Sequence, residues 1–171
     1  KSRTWHNQHL IDKYYDEKVW AGVADLIRYE LLYEDGGFLP PADAICYHNM
    51  DEVFTSPPDY AYSIYENDRD EHLAPNWISP VQACNAGNTF VKLLIDTLHQ
   101  LTPDQLSLKP WQSTGNEFLS QFVPDKEKHK LTIWPSYYTI PRHYSVRSTP
   151  YVGNGKIYAE QKWGSTKSLY S

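Results

Sequence analysis

Cysteine is scarce in this chain, methionine occurs once, and neither long apolar runs nor clusters of basic residues are found among its 171 residues. Without eighteen consecutive apolar residues, no segment reads as a membrane-crossing helix. With a net charge of −5 and no basic run, neither nucleic acid nor an anionic membrane surface is expected as the main partner. The seven histidines are scattered and form no His-x-x-x-His pair. The two cysteines, Cys46 and Cys84, lie in apolar segments at no metal-binding spacing. They read as buried thiols of a reducing, cytoplasmic compartment, with a single disulfide as the other option. Aromatic residues, by contrast, are abundant. Fourteen Tyr and six Trp in a chain that is 40% hydrophobic imply a folded core, and the length suits one domain.

The most ordered pattern runs from Val19 to Met50. Val19, Trp20, Val23, Ala24, Ile27, Leu31 and Leu32 recur at helical spacing and give the helix one apolar face. Gly36-Gly37 ends it, because glycine adopts the left-handed backbone that closes helices. Asp25 and Arg28 are three residues apart and project the same way, and Tyr29 lies one turn beyond Asp25. They read either as an ordinary intrahelical pair or as a site. Past the glycines the chain turns extended, reaches Asp43 and continues through Ala44-Ile45-Cys46-Tyr47 as an expected buried strand.

The run A-D-L-I-R-Y-E-L-L-Y-E-D-G-G resembles the signature of glycosyltransferases with the Asp-x-Asp-containing sugar-binding region. That group includes mannosyltransferases and capsular and viral enzymes. Its pattern is Ala-Asp-x-x-Arg-Tyr, a helix, Gly-Gly, then x-Tyr-x-Asp-x-Asp. Asp25, Arg28, Gly36, Gly37 and Asp43 fit without a gap. Two positions depart from it: Leu39 stands at the Tyr and Pro41 at the first Asp, so Asp43 is the one acid left of the pair.

Further along, residues 51–80 are loop-like and acidic, with a short strand at Ala61-Tyr-Ser-Ile-Tyr65. Arg69, among Asp68, Asp70 and Glu71, reads as part of a solvated charge cluster or as a substrate-facing loop. A helix follows, capped at Asn88 or Thr89 and striped with Phe90, Val91, Leu94, Ile95, Leu98 and Leu101. Thr114-Gly115 opens a short helix over Glu117–Phe122, and Leu131–Trp134 reads as a strand. I-Y-A-E-Q-K-W-G-S-T-K, near the end, resembles the family's closing motif, with Gln161 at its histidine position. Gly153, Gly155 and Gly164 suit a closing lid, while an anchored polar tail is the other reading.

The resemblance implies an α/β, GT-A-like fold: a Rossmann-type, mostly parallel sheet flanked by helices, in one glycosyltransferase-like domain over residues 1–171. It also implies an N-terminal strand that Lys1–Glu17 does not match. A fragment of a longer chain is one expectation from this, and a polar helical lead-in is the other. The implied activity is transfer of a hexose from a UDP- or GDP-sugar to a glycan or other hydroxyl acceptor, with retention, assisted by Mn²⁺ or Mg²⁺. Asp25, Arg28, Tyr29, Gly36 and Gly37 would form the donor-sugar side, and Asp43 and Gln161 would hold the metal. Trp163 and Ser165 would close over the nucleotide, and Asn85 and Asn88 would border the acceptor unless they are merely turn and cap residues. A non-catalytic sugar-binding relative and an all-β carbohydrate-binding module are the competing readings.

Overall fold

The computed structural model describes residues 3–70, 76–145 and 147–164. In chain order the helices and strands are α1 (Gln8–Asp16), α2 (Trp20–Asp35), β1 (Gly37–Phe38), β2 (Ala44–Cys46), β3 (Ala61–Ile64), β4 (Ala83–Cys84), α3 (Thr89–His99), α4 (Pro110–Ser113), α5 (Asn116–Ser120), β5 (Leu131–Trp134) and β6 (Ala159–Gln161).

Helix α2 ends where its sequence says it should. Gly36 takes φ +66°, and its N–H donates to the Leu32 carbonyl. A Cβ at Gly36 would lie 2.6 Å from the Ala86 backbone nitrogen, so the site requires glycine for space as well as for φ. At the other end of the helical layer, the buried Glu30 carboxylate accepts the His6 and Asn7 backbone N–H groups at 2.6 and 2.8 Å. An anion at a helix start satisfies free amides and meets the positive end of the dipole, and this ties α1 to α2. Leu10, Ile11 and Tyr14 are buried, so α1 is amphipathic and not merely a polar lead-in. Asn88 caps α3, accepting from Phe90 and Val91 N–H.

The protein is α/β, but the sheet is small and mixed. Its order is β1-β4-β3-β5; β1–β4 and β4–β3 are antiparallel, and only β3–β5 is parallel. Among the described residues, this corrects the expectation of a mostly parallel sheet. The antiparallel pairing of β3 with β4 continues beyond the strands in the bridge between Tyr65 and Ile78 and the Glu66 N–H to Trp77 carbonyl bond. By contrast, β5 reaches the other side of β3 by a crossover through α3, α4 and α5, the long connection parallel pairing needs. The helices lining the cleft also exclude an all-β module.

Strand β3 is buried on both faces. Ala61 joins the core formed by α1, α2, α3 and α5, whereas Tyr62 and Ile64 join a second core with Trp134, Ile140, Tyr158 and Trp163. The second strand pair, β2–β6, lies apart from this sheet. Ile45 is 49% exposed, so β2 is a surface strand and not the buried one expected from its apolar run. Cys46 is exposed and Cys84 buried, and both are free; only Cys84 matches the expected buried thiol, its pKa pushed up to about 11 by burial. Among the described residues, no helix is long and apolar enough to cross a membrane.

The acidic loop is likewise built in rather than solvated. Arg69 donates to the Ile140 and Pro141 carbonyls at 3.2 and 3.0 Å. Asp68 accepts from Ser136, and the buried Asp70 accepts from Asn67, Ser148 and Thr149. These bonds fasten Ser136, Ile140, Pro141, Ser148 and Thr149 to the segment 67–70, while Glu71 of the same cluster lies outside the described residues. Gly155, expected to loosen a lid, sits instead where a Cβ would lie 2.6 Å from both the Tyr137 ring and the Tyr151 hydroxyl.

Gly22 is the tightest helix contact, because a Cβ there would run into the Tyr14 ring. Tyr14 is fully buried, and its hydroxyl donates to the Ser107 carbonyl at 3.0 Å, so the ring has little freedom to move aside. Alanine gains about 1 kcal/mol of helix propensity over glycine, whereas overpacking costs about 1–3 kcal/mol. Gly22→Ala is expected to lower the unfolding free energy by up to ~2 kcal/mol net in urea titration. A raised midpoint would show that α1 slides freely against α2.

Candidate functional site

A cleft of about 480 Å³ opens between α2, the segment from β3 to β4, the α4–α5 corner and β6. It gathers residues from widely separated stretches: Asp25 and Arg28 from α2, Pro41 after β1, Gln161 from β6 and Trp163 beyond it. Asp25, Arg28 and Trp163 match the motif, while Pro41 and Gln161 stand at positions where the chain departs from it, and the chain separates the first from the last by more than half its length.

Asp25 and Arg28 do not spend themselves on each other. The Thr114 hydroxyl donates to Asp25 Oδ2 at 3.0 Å, and the Arg28 guanidinium donates to the Leu39 carbonyl. Asp25 keeps part of its surface open to the cleft, yet protein surrounds it closely. This desolvation pushes its carboxyl up to about 7, against the lowering effects of the Thr114 bond and the Arg28 charge. Burial also holds Arg28 below the usual guanidinium range. Arg28 is the one Lys or Arg side chain among the described lining residues.

The closing segment is held by specific bonds. Trp163 adopts φ +60°, a left-handed conformation uncommon outside glycine, and its indole N–H donates to the Arg142 carbonyl at 3.1 Å. His143 and Tyr144 pack on its ring at 5.2 and 5.1 Å. The Gly164 N–H donates to Asp43 Oδ2 at 2.8 Å, and Lys162 N–H donates to the Asp43 carbonyl. Asp43 therefore fastens the turn that carries Trp163. Ser165 lies outside the described residues.

Other motif residues serve the scaffold. Tyr29 is fully buried and donates to the Thr114 carbonyl at 2.6 Å, so it supports the Asp25 corner without reaching the cleft. Gly36 and Gly37 close α2 and start β1. Asn88 is the α3 cap, and Asn85, which donates to the Pro58 carbonyl, lines a different pocket beside Phe38. Residues that motif reading passed over complete the cleft: Glu66, Asn116, Tyr144 and the facing indoles of Trp77 and Trp111, 5.1 Å apart. Glu66 sat within a loop-like acidic stretch, and only its tertiary partners mark it. Asn116 directly follows Thr114-Gly115, the start of the expected short helix.

The metal expectation can be tested against these donors. Gln161 lines the cleft, whereas Asp43 does not and has Oδ2 engaged by Gly164. Pro41 offers no ligand. Among the described residues, no group of three His, Cys, Asp or Glu side chains is placed to hold a metal ion. Hard divalent cations need several oxygen ligands, so these residues do not make a metal site by themselves. Comparisons with protein-family models, curated proteins and solved structures return no match, so the cleft and the spaced motif carry the functional reading.

Proposed function

We propose that the protein is a retaining glycosyltransferase that binds a UDP- or GDP-sugar in this cleft and passes the sugar to an acceptor hydroxyl. The observation that supports this reading is the convergence of Asp25, Arg28, Pro41, Gln161 and Trp163 on one wall-to-wall cavity. Nothing local forces residues so far apart in the chain to meet, and the matched Asp25, Arg28 and Trp163 share one cavity with the residues at two departing positions, as a ligand site requires. In the transfer, the bond from the anomeric carbon to the leaving phosphate oxygen breaks and a bond to the acceptor oxygen forms. The acceptor proton ends on the nucleoside diphosphate. Arg28 supplies a fixed positive charge beside the donor, and the Asp25 carboxyl meets a sugar hydroxyl. The indoles of Trp77 and Trp111 and the closing Trp163 exclude water and cover apolar sugar faces.

Hydrolysis of UDP-glucose and GDP-mannose, followed with and without acceptor sugars, tests the reading; absence of turnover with both across divalent metals would count against catalysis. A second reading, sugar binding without transfer, is favoured by one observation: Asp43 fastens the Trp163 turn, and Pro41 occupies the position of the other acid. That reading expects nucleotide-sugar binding and no hydrolysis.

The metal behaviour follows from the sparse donor set. Mg²⁺-type sites often combine one or two carboxylates with substrate phosphates and water. Calorimetric titration of Mn²⁺ is expected to show no binding to the nucleotide-free protein and binding when UDP or GDP is present. Tight Mn²⁺ binding to the free protein would reveal ligands other than those named here.

A further inference from the structure

One charged group in the cleft is used neither by the motif nor by the transfer outlined above. Glu66, just past the end of β3, lines the cleft with its side chain only 11% exposed. His143 Nε2 donates to its Oε1 at 3.0 Å, and the Asn116 amide donates to its Oε2. The His143 tautomer follows from its other nitrogen: Nδ1 accepts the Ser145 N–H at 3.2 Å, so the ring proton of the neutral imidazole sits on Nε2 and points at Glu66. His143 is itself 7% exposed, wedged against Tyr144 and Trp163.

A carboxylate has about four acceptor positions, and these two bonds use two of them. Leaving buried acceptors unmet is costly, and the remaining ones face a cavity that a ligand would dry. Such a group asks for a donor, and a sugar hydroxyl is one. The same cleft supplies the complementary polarity through Arg28 and through an Asp25 carboxyl that burial pushes up to about 7. The Trp77–Trp111 pair offers an apolar face for the sugar's C–H side.

We infer that Glu66 is a sugar-recognition residue of this cleft, accepting a hydrogen bond from a hydroxyl of the bound hexose, with His143 and Asn116 as the residues that position it. This rests on the cleft being the donor-sugar site proposed above. The test compares the wild type, Glu66→Gln and His143→Phe by calorimetric titration with UDP-glucose, GDP-mannose, UDP and GDP, beside thermal melts. Glutamine keeps the shape and weakens the acceptor; phenylalanine keeps the packing on Tyr144 and Trp163 and removes the N–H.

Glu66→Gln is expected to weaken binding of the preferred nucleotide sugar about tenfold or more while leaving the bare nucleotide within about twofold, the size of effect expected when a hydrogen bond to a charged group is lost. His143→Phe should weaken the same nucleotide sugar several-fold and lower the melting temperature, since Glu66 Oε1 and the Ser145 N–H each lose a partner, while bare-nucleotide affinity stays within about twofold. Unchanged nucleotide-sugar affinity in both variants, or an equal loss for the bare nucleotide, overturns the inference while leaving the transfer reading standing. No binding of any of the four ligands by the wild type overturns both. If Glu66→Gln fails to fold, His143→Phe carries the same test, and its unchanged sugar affinity overturns the assignment.

Discussion

Arg28→Ala lowers donor turnover by roughly 10²–10³-fold, the loss expected when one fixed electrostatic group is removed from a water-poor site. Three observations set this expectation. Arg28 is the one Lys or Arg among the described residues of the cleft wall, its guanidinium is anchored to the Leu39 carbonyl, and it does not pair with Asp25. On the transfer reading it is held for the incoming donor. The fold should tolerate its loss. Truncation forfeits the bond to Leu39 but also ends the burial of a charge, and these two effects oppose each other within about 1–3 kcal/mol. A melting midpoint within a few degrees of the wild type is expected at that balance. Arg28→Lys should recover little activity, because a single ammonium does not bridge the Leu39 carbonyl and a ligand as the planar fork does. If Arg28→Ala unfolds the protein, Arg28 is a structural residue and the site is misassigned.

Asp25→Asn is expected to make the protein more stable at pH 8 and to impair its activity. The Asp25 carboxyl is pushed from 3.8 to about 7 on folding, chiefly by desolvation and despite the Thr114 bond and Arg28. The folded state thus holds this proton more tightly than the unfolded chain. Between about pH 4 and 7 the folded state binds more protons, so stability falls as pH rises through this window and stays reduced above it. At about 1.4 kcal/mol per unit, the stability lost by pH 8 is on the order of 4 kcal/mol. Asparagine carries no such charge. Urea midpoints of wild type and variant should coincide near pH 4 and separate progressively to pH 8, with the variant higher. Parallel curves across that range would show that Asp25 is solvated in the folded protein. The functional side follows from the transfer reading: there the Asp25 carboxyl meets a sugar hydroxyl, and the amide cannot carry its charge.

Helix α2 and its end were legible in the sequence, because apolar period and glycine chemistry act within a few residues. The same holds for the Asn88 cap, whose bonds reach only to Phe90 and Val91. The convergence of Asp25 and Arg28 with Gln161 and Trp163 was legible only as motif spacing; nothing in local propensity brings β6 to α2. The sheet direction was misjudged because strand pairing depends on contacts between segments distant in the chain, here the bridge between Tyr65 and Ile78 that folds the segment before β4 back along β3. Burial of β2 was misjudged because an apolar run does not reveal whether anything packs over it. That Asp43 Oδ2 accepts the Gly164 N–H was invisible in the sequence, because the two meet only through the fold. Glu66 and His143, 77 residues apart, gave no signal at all before folding. The chain by itself determined that α2 and α3 are helices and where they stop, since those choices are made over a few residues. The face α2 buries, Gly22, Leu26, Tyr29, Glu30 and Leu32, is not the stripe its spacing suggested, and Trp20 is exposed. Tertiary structure alone decided which carboxylates are desolvated and which are spent on backbone amides, because both depend on distances between elements.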